Sequence, residues 1–138
     1  MSALKKMLDK YRGLDRVALR VGIMGTKTYP DGTPVAQVGY INEYGTDVIP
    51  ARPFFRSAVA NERSVLPQMA ASWLGKHDTE TALRLIGEHM VGALSDSVQT
   101  WSEPPNAPST IKEKGYNAPL RANDRLLRNS FSYEIEEK

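Results

Sequence analysis

The sequence contains no cysteine. Disulfides, thiolate metal sites and cysteine nucleophiles are thereby excluded, while the redox compartment stays open, because a cysteine-free chain works in either state. Histidine is nearly as scarce, with only His77 and His89. Neither HExxH nor a paired-ligand spacing is present, so both are expected to be ordinary surface histidines. Aromatic residues make up 8% of the chain. Tyr11, Tyr29, Tyr40 and Tyr44 are scattered over separate segments, which favours packing over base stacking. No apolar run approaches the ~20 residues of a membrane span. The opening MSALKKMLDK has charges but no apolar core or small-residue cleavage site. No secretory signal is expected, and a soluble product made in the cytoplasm is the expectation.

Patterns that carry chemistry are missing as well. Gly22, Gly25 and Gly32 form neither GxGxxG nor a P-loop, and no GxSxG occurs. Asp31-Gly32 lacks the repeated acids of a calcium loop. Glu43 and Asp47 are the nearest candidate carboxylate pair, but nothing around them indicates a cleft in which they would converge. The expectation is a protein that is not an enzyme and has no catalytic residue, cofactor or metal.

What is present describes a soluble globular chain. Its 138 residues are 41% hydrophobic and 25% charged, enough for one domain with a real core. A net charge of +2 does not argue for nucleic acid. Residues 1–20 are nevertheless basic, carrying Lys5, Lys6, Lys10, Arg12, Arg16 and Arg20 against Asp9 and Asp15. A solvated helix face is the favoured reading, and a patch that meets phosphate or an acidic partner is the other.

The periodicities predict an α+β fold. Leu4, Met7, Leu8 and Tyr11 mark a helix over 3–12, with Gly13 as its C-cap. Val17, Leu19, Val21 and Ile23 alternate as a strand over 16–24. Residues 25–33, centred on Pro30-Asp31-Gly32, are turn-rich, and either a small hairpin or an exposed loop fits. A helix is predicted over 35–44 and stopped by Gly45. Residues 46–53 are extended, with Pro53 suited to N1 of the next helix. That helix carries Phe55, Ala58, Val59, Leu66, Met69, Ala70 and Trp73, with a kink or break near 63–67 at Pro67. After a turn at 75–78, Leu83, Ile86, Met90, Leu94, Val98 and Trp101 mark a long helix over 79–101, capped by Asp78.

Residues 103–123 hold Pro104, Pro105, Pro108 and Pro119 and read as an arm. Thr110 and Glu113 have capping-box spacing, so a helical turn is predicted at 110–114, closed by Gly115. Asn123 is placed to cap a second short helix over 124–129. Phe131, Tyr133 and Ile135 then alternate as a strand over 130–136. The simplest assembly is an antiparallel sheet of the two terminal strands packed on two long helices. A two-stranded ribbon is marginal alone, so a third strand is sought from 26–36 or from a neighbouring subunit.

Residues 40–55 (YINEYGTDVIPARPFF) concentrate several local devices. Helix–loop–helix joint chemistry accounts for Gly45, Pro53 and Phe55. It does not account for Arg52, which is expected to pair with Glu43 and brace the loop so that Val48 and Ile49 are held in a fixed shape.

The order INEYGTxxIPARPFFRxA over residues 41–58 resembles the signature of a phage family of putative tail components, the neck or tail-completion proteins, and is related to the Mu-like virion morphogenesis proteins. The stretch APSTIKEKGYNAPL followed by RLLRNSFSYEI is similar to the family's arm, short helix and final strand. The family often has Thr-Gly where this chain has Asn123 and Asp124. The resemblance implies an α+β subunit of a ring at the head–tail junction, made in the host cytoplasm and carried in the virion. The implied partners are copies of itself, the tail terminator or tail tube, and head-connector proteins. DNA would pass through the lumen without sequence-specific contacts, and no membrane is involved.

Candidate contact residues follow from the joint and the arm. In the joint they are Glu43, Tyr44, Gly45, Asp47, Val48, Ile49, Arg52, Pro53 and Phe54. In the arm they are Pro104, Pro105 and Tyr116. An arm of about 20 residues is long for a compact domain and either lies on a neighbour or wraps its own body. The competing functional classes are a nucleic-acid-binding accessory module using the basic N-terminal segment, and a small enzyme of unknown type.

Overall fold

The alternating segments near the two ends of the chain become strands in the computed structural model, which describes residues 2–114, 119–120 and 125–138. Strands β1 (Val17–Ile23) and β2 (Phe131–Glu137) pair antiparallel. The register sets Leu19 opposite Ile135, Val21 opposite Tyr133 and Ile23 opposite Phe131. Every large apolar side chain of both strands therefore falls on one face, because strand residues two apart share a side. The other face carries Arg20 and Glu136, whose Nε and Oε2 lie 3.0 Å apart.

Six helices occur among the described residues: α1 (Ala3–Leu14), α2 (Val35–Tyr44), α3 (Phe54–Glu62), α4 (Leu66–Lys76), α5 (Thr79–Thr100) and α6 (Pro108–Lys114). With the ribbon they make an α+β fold. Helix α5 is its axis, contacting β1, β2, α3 and α4. Ala82, Gly87, Met90, Leu94 and Val98 form its buried stripe. At Gly87 a Cβ would stand 2.5 Å from Cγ of Tyr133, so the ribbon's ring occupies the space that a side chain would fill. Asp78 caps the helix by accepting the Thr81 N–H at 2.8 Å.

The core joins Val35, Phe54, Leu94, Val98, Leu127 and Phe131. Burying each larger side chain stabilises the fold by about 1.5–3 kcal/mol. Phe54 and Phe131 meet edge to face at 6.2 Å. Of the two phenylalanines that open α3, Phe54 is the fully buried one and Phe55 is half-buried.

Several sequence expectations are corrected. Helix α1 continues through Gly13 to Leu14 and ends at the Asp15 cap, because Gly13 keeps helical backbone. Pro53 is the N-cap of α3 rather than its first residue. It sits at φ −76° and ψ 61°, and the Phe54 N–H closes onto the Arg52 carbonyl at 2.7 Å, an inverse γ-turn. The break near 63–67 separates α3 from α4, with Pro67 in the first turn of α4, where its missing N–H leaves nothing unpaired. The break expected near 63–67 is thus present, dividing the first of the two expected long helices into α3 and α4, with α5 as the second.

No third strand joins the ribbon among the described residues. The 26–36 segment folds on itself, with the Tyr29 N–H on the Thr33 carbonyl at 2.8 Å and a single bridge between Thr28 and Pro34. Helix α6 starts at Pro108, so Thr110 lies inside its first turn instead of capping it. The chain enters β2 through a 3-10 turn, Arg128–Ser130. The expected stop at Gly115 and cap at Asn123 lie outside the described residues.

Candidate interaction site

Helix α3 begins after a proline that offers no capping side chain. Its first N–H groups need an acceptor from elsewhere. Glu43, in the last turn of α2, supplies it. Oε1 accepts the Phe55 N–H at 2.7 Å, and Oε2 accepts the Arg56 N–H at 3.3 Å. Oε2 also lies 2.6 Å from Arg56 Nε, and Arg56 Nη2 donates to the Glu43 carbonyl at 3.1 Å. A carboxylate at a helix N-terminus is favoured by the positive end of the macrodipole. The donors around it compensate the burial of its charge.

The expected pairing of Glu43 with Arg52 is therefore replaced by one with Arg56. The hydrogen bond to Glu43 raises the Arg56 guanidinium above its ordinary pKa. The same guanidinium lies over the Tyr44 ring at 4.6 Å, a cation–π contact, and Tyr44 meets Tyr40 at 4.7 Å.

Arg52 turns the other way. Its backbone N–H binds the Asn42 carbonyl at 2.7 Å. Its side chain is buried and donates from Nε to the Pro104 carbonyl at 2.9 Å and from Nη2 to the Pro105 carbonyl at 3.2 Å. Burial lowers its pKa. Of the two readings of the arm, Pro104 and Pro105 follow the second and lie on their own domain, clamped by Arg52. Tyr116 lies outside the described residues.

Between Glu43 and Arg52 the chain makes a tight loop. Gly45 adopts φ +75°, and a Cβ there would stand 2.7 Å from Ala51 N and 2.8 Å from Ile49 O, so only glycine fits. The Thr46 N–H binds the Ile49 carbonyl at 2.8 Å. The Thr46 hydroxyl accepts the N–H groups of Val48 and Ile49 at 3.3 and 3.0 Å. The N–H groups of Thr46, Val48 and Ile49 are thus bound within the loop, whose tip carries two apolar side chains. Val48 is 89% exposed and Ile49 37%. Asp47 is exposed beside them.

The candidate residues thus divide by task. Val48, Ile49, Asp47 and Tyr44 face solvent and can touch a partner. Glu43, Gly45, Arg52, Pro53 and the buried Phe54 hold that surface in place. Beside it, Tyr40, Tyr44, Phe55 and Arg56 line a hollow of about 240 Å³ over Ile23 and Gly39. Tyr40 and Arg56 were missed as site residues. The four-residue spacing of Tyr40 and Tyr44 on one helix face was the available signal.

Two further contacts escaped the sequence reading. His89 Nε2 lies 2.6 Å from Glu62 Oε2, so this histidine is paired between α5 and α3 rather than simply solvated. Lys10 donates to the Leu74 and His77 carbonyls at the end of α4. Among the described residues no group of three or more His, Asp or Glu could hold a metal ion. No described helix is long and apolar enough to cross a membrane. Comparison with protein-family models, with curated proteins and with solved structures finds no match to this chain.

Proposed function

We propose that the chain is a structural subunit of a tailed-phage or prophage virion. It completes the neck or tail end and supports head–tail joining as a member of a ring. The observation that carries this reading is the 46–51 loop. Its backbone is locked by Gly45 and Thr46, its two ends are anchored through Glu43 and Arg52, and its tip exposes Val48 and Ile49 beside Asp47. That construction suits docking against another protein, since a rigid apolar anchor loses little conformational entropy on binding. The resemblance of residues 41–58 to the neck and tail-completion proteins supports the same reading and names the partners: copies of itself, the tail terminator or tube, and head connectors.

Electron microscopy of particles made without this chain tests the proposal. Filled heads separate from finished tails are expected, and intact joined particles would sink it. A second reading, DNA binding through α1, draws on the exposed Lys5, Lys6 and Arg12. It requires an affinity that falls steeply with salt, and no binding at low salt would end it.

A further inference from the structure

Helix α1 meets its own body with its less apolar side. Lys10, Gly13 and Leu14 are its half-buried residues, with Lys10 bound to the end of α4. Leu4, Met7, Leu8 and Tyr11 are 61%, 48%, 43% and 49% exposed. Their spacing places them on one stripe. Lys5 and Arg12, seven residues apart, run along one edge of that stripe. An exposed apolar stripe with a charged border marks a contact surface.

A groove of about 390 Å³ elsewhere on the body has the complementary chemistry. It is lined by the apolar Val17, Leu83 and Ile135 and bordered by Glu80 and Glu137, while the carboxylate of Glu136 lies on the other face of the ribbon with Arg20. Glu80 pairs with the exposed Arg84. Glu137 has no ion pair among the described residues. An antiparallel symmetric contact between two α1 stripes would bring Lys5 and Arg12 of both copies together, and like charges across an interface are costly. The acidic groove offers the same stripe an apolar floor with opposite charge.

We infer that the stripe of α1 docks into the Val17–Leu83–Ile135 groove of a second copy, with Lys5 and Arg12 facing Glu80 and Glu137. The two surfaces differ, so the contact is head-to-tail and repeats from copy to copy, closing into a ring when the rotation allows. The inference rests on the ring reading above and supplies the contact that would build the ring.

The absence of native cysteine makes the test clean. Full-length Met7→Cys and Thr79→Cys variants are mixed at high concentration and treated with a short bis-maleimide. A cross-linked dimer is expected in the mixture and not from either variant alone. Adding Lys5→Glu and Arg12→Glu to the Met7→Cys chain should weaken the association by about tenfold or more. Adding Glu80→Lys and Glu137→Lys to the Thr79→Cys partner should restore it. A dimer from Met7→Cys alone, or an oligomer without the Met7–Thr79 product, overturns the inference and leaves the ring reading standing. A chain that stays monomeric and gives no product overturns it as well, and binding of that chain to anionic phospholipid vesicles through Leu4 and Leu8 would assign the stripe to a lipid surface instead. Joining of heads to tails in particles lacking the chain would defeat the ring reading independently.

Discussion

The Glu43 carboxylate lies 2.6 Å from Nε of Arg56, and this pair rather than one with Arg52 fixes the start of α3. Glu43 is buried while the Arg56 side chain is 56% exposed, so the two partners are not equivalent. Glu43→Ala leaves the Phe55 and Arg56 N–H groups without their acceptor and should cost about 1–3 kcal/mol in urea unfolding. Arg56→Ala removes only the exposed half and should cost clearly less. Equal losses from the two variants would contradict this division.

Gly45 and Gly13 should respond oppositely to alanine. At Gly45 the new Cβ meets the Ala51 backbone at a positive φ, so Gly45→Ala should destabilise by about 1 kcal/mol or more. At Gly13, inside α1, nothing lies within 4 Å of the new Cβ. Gly13→Ala should stabilise by about 0.5–1 kcal/mol. Chemical denaturation of the two variants side by side measures both signs.

Gly87→Ala tests how the ribbon sits on α5. A methyl group there must displace the Tyr133 ring, and overpacking of this kind costs about 1–3 kcal/mol. Pairing Gly87→Ala with Tyr133→Leu should recover part of the loss. No coupling between the two substitutions in a double-mutant cycle would mean that they do not share the contact.

Arg52→Ala should release the arm. The Pro104 and Pro105 carbonyls lose their donors, and amide exchange at Asn106 and Ala107 should accelerate while that in α5 stays slow. Unchanged exchange at 106–107 would mean that the arm is held by something other than Arg52.

Acid sensitivity should come partly from Asp78. Its hydrogen bonds with Thr81, side chain first and then backbone, hold its carboxyl below the ordinary value. A depressed folded pKa gives stability that is present above the unfolded carboxylate value of about 4 and lost as pH falls through the folded one. Asp78→Asn retains a capping side chain, so it should flatten this acid limb with little change at neutral pH. Urea unfolding between pH 6 and pH 2 checks the sign.

Helix α2 was placed correctly, although the face it buries is Val35, Gly39 and Glu43 and not an apolar stripe. The two strands and α5 were legible because each buries one apolar face, which writes a period of two or of three to four into the residues. Their antiparallel pairing followed from the matched alternation of Val17–Ile23 and Phe131–Ile135. The partner of Glu43 was not legible. Arg52 and Arg56 lie four residues apart around Pro53, and the choice between them is made by backbone direction. The Arg52 N–H is tied to Asn42, and the γ-turn at Pro53 then aims α3's N–H groups at the carboxylate. The same limit hid His89 and Glu62, which are brought together only by the packing of α3 on α5. Gly13 misled because glycine marks helix ends, yet inside a helix it costs only about 0.5–1 kcal/mol and is tolerated. At the site, the exposed Val48 and Ile49 were anticipated, whereas the task of each residue holding them had to be read from the geometry.

The most direct measurement concerns Val48, whose exposure means that a substitution leaves the fold intact. A phage or prophage lacking the chain is complemented with Val48→Asp, and particles are counted by electron microscopy beside the unfolding midpoint of the purified variant. The account expects an unchanged midpoint together with heads and tails that fail to join. Joined, infectious particles at wild-type yield would contradict it.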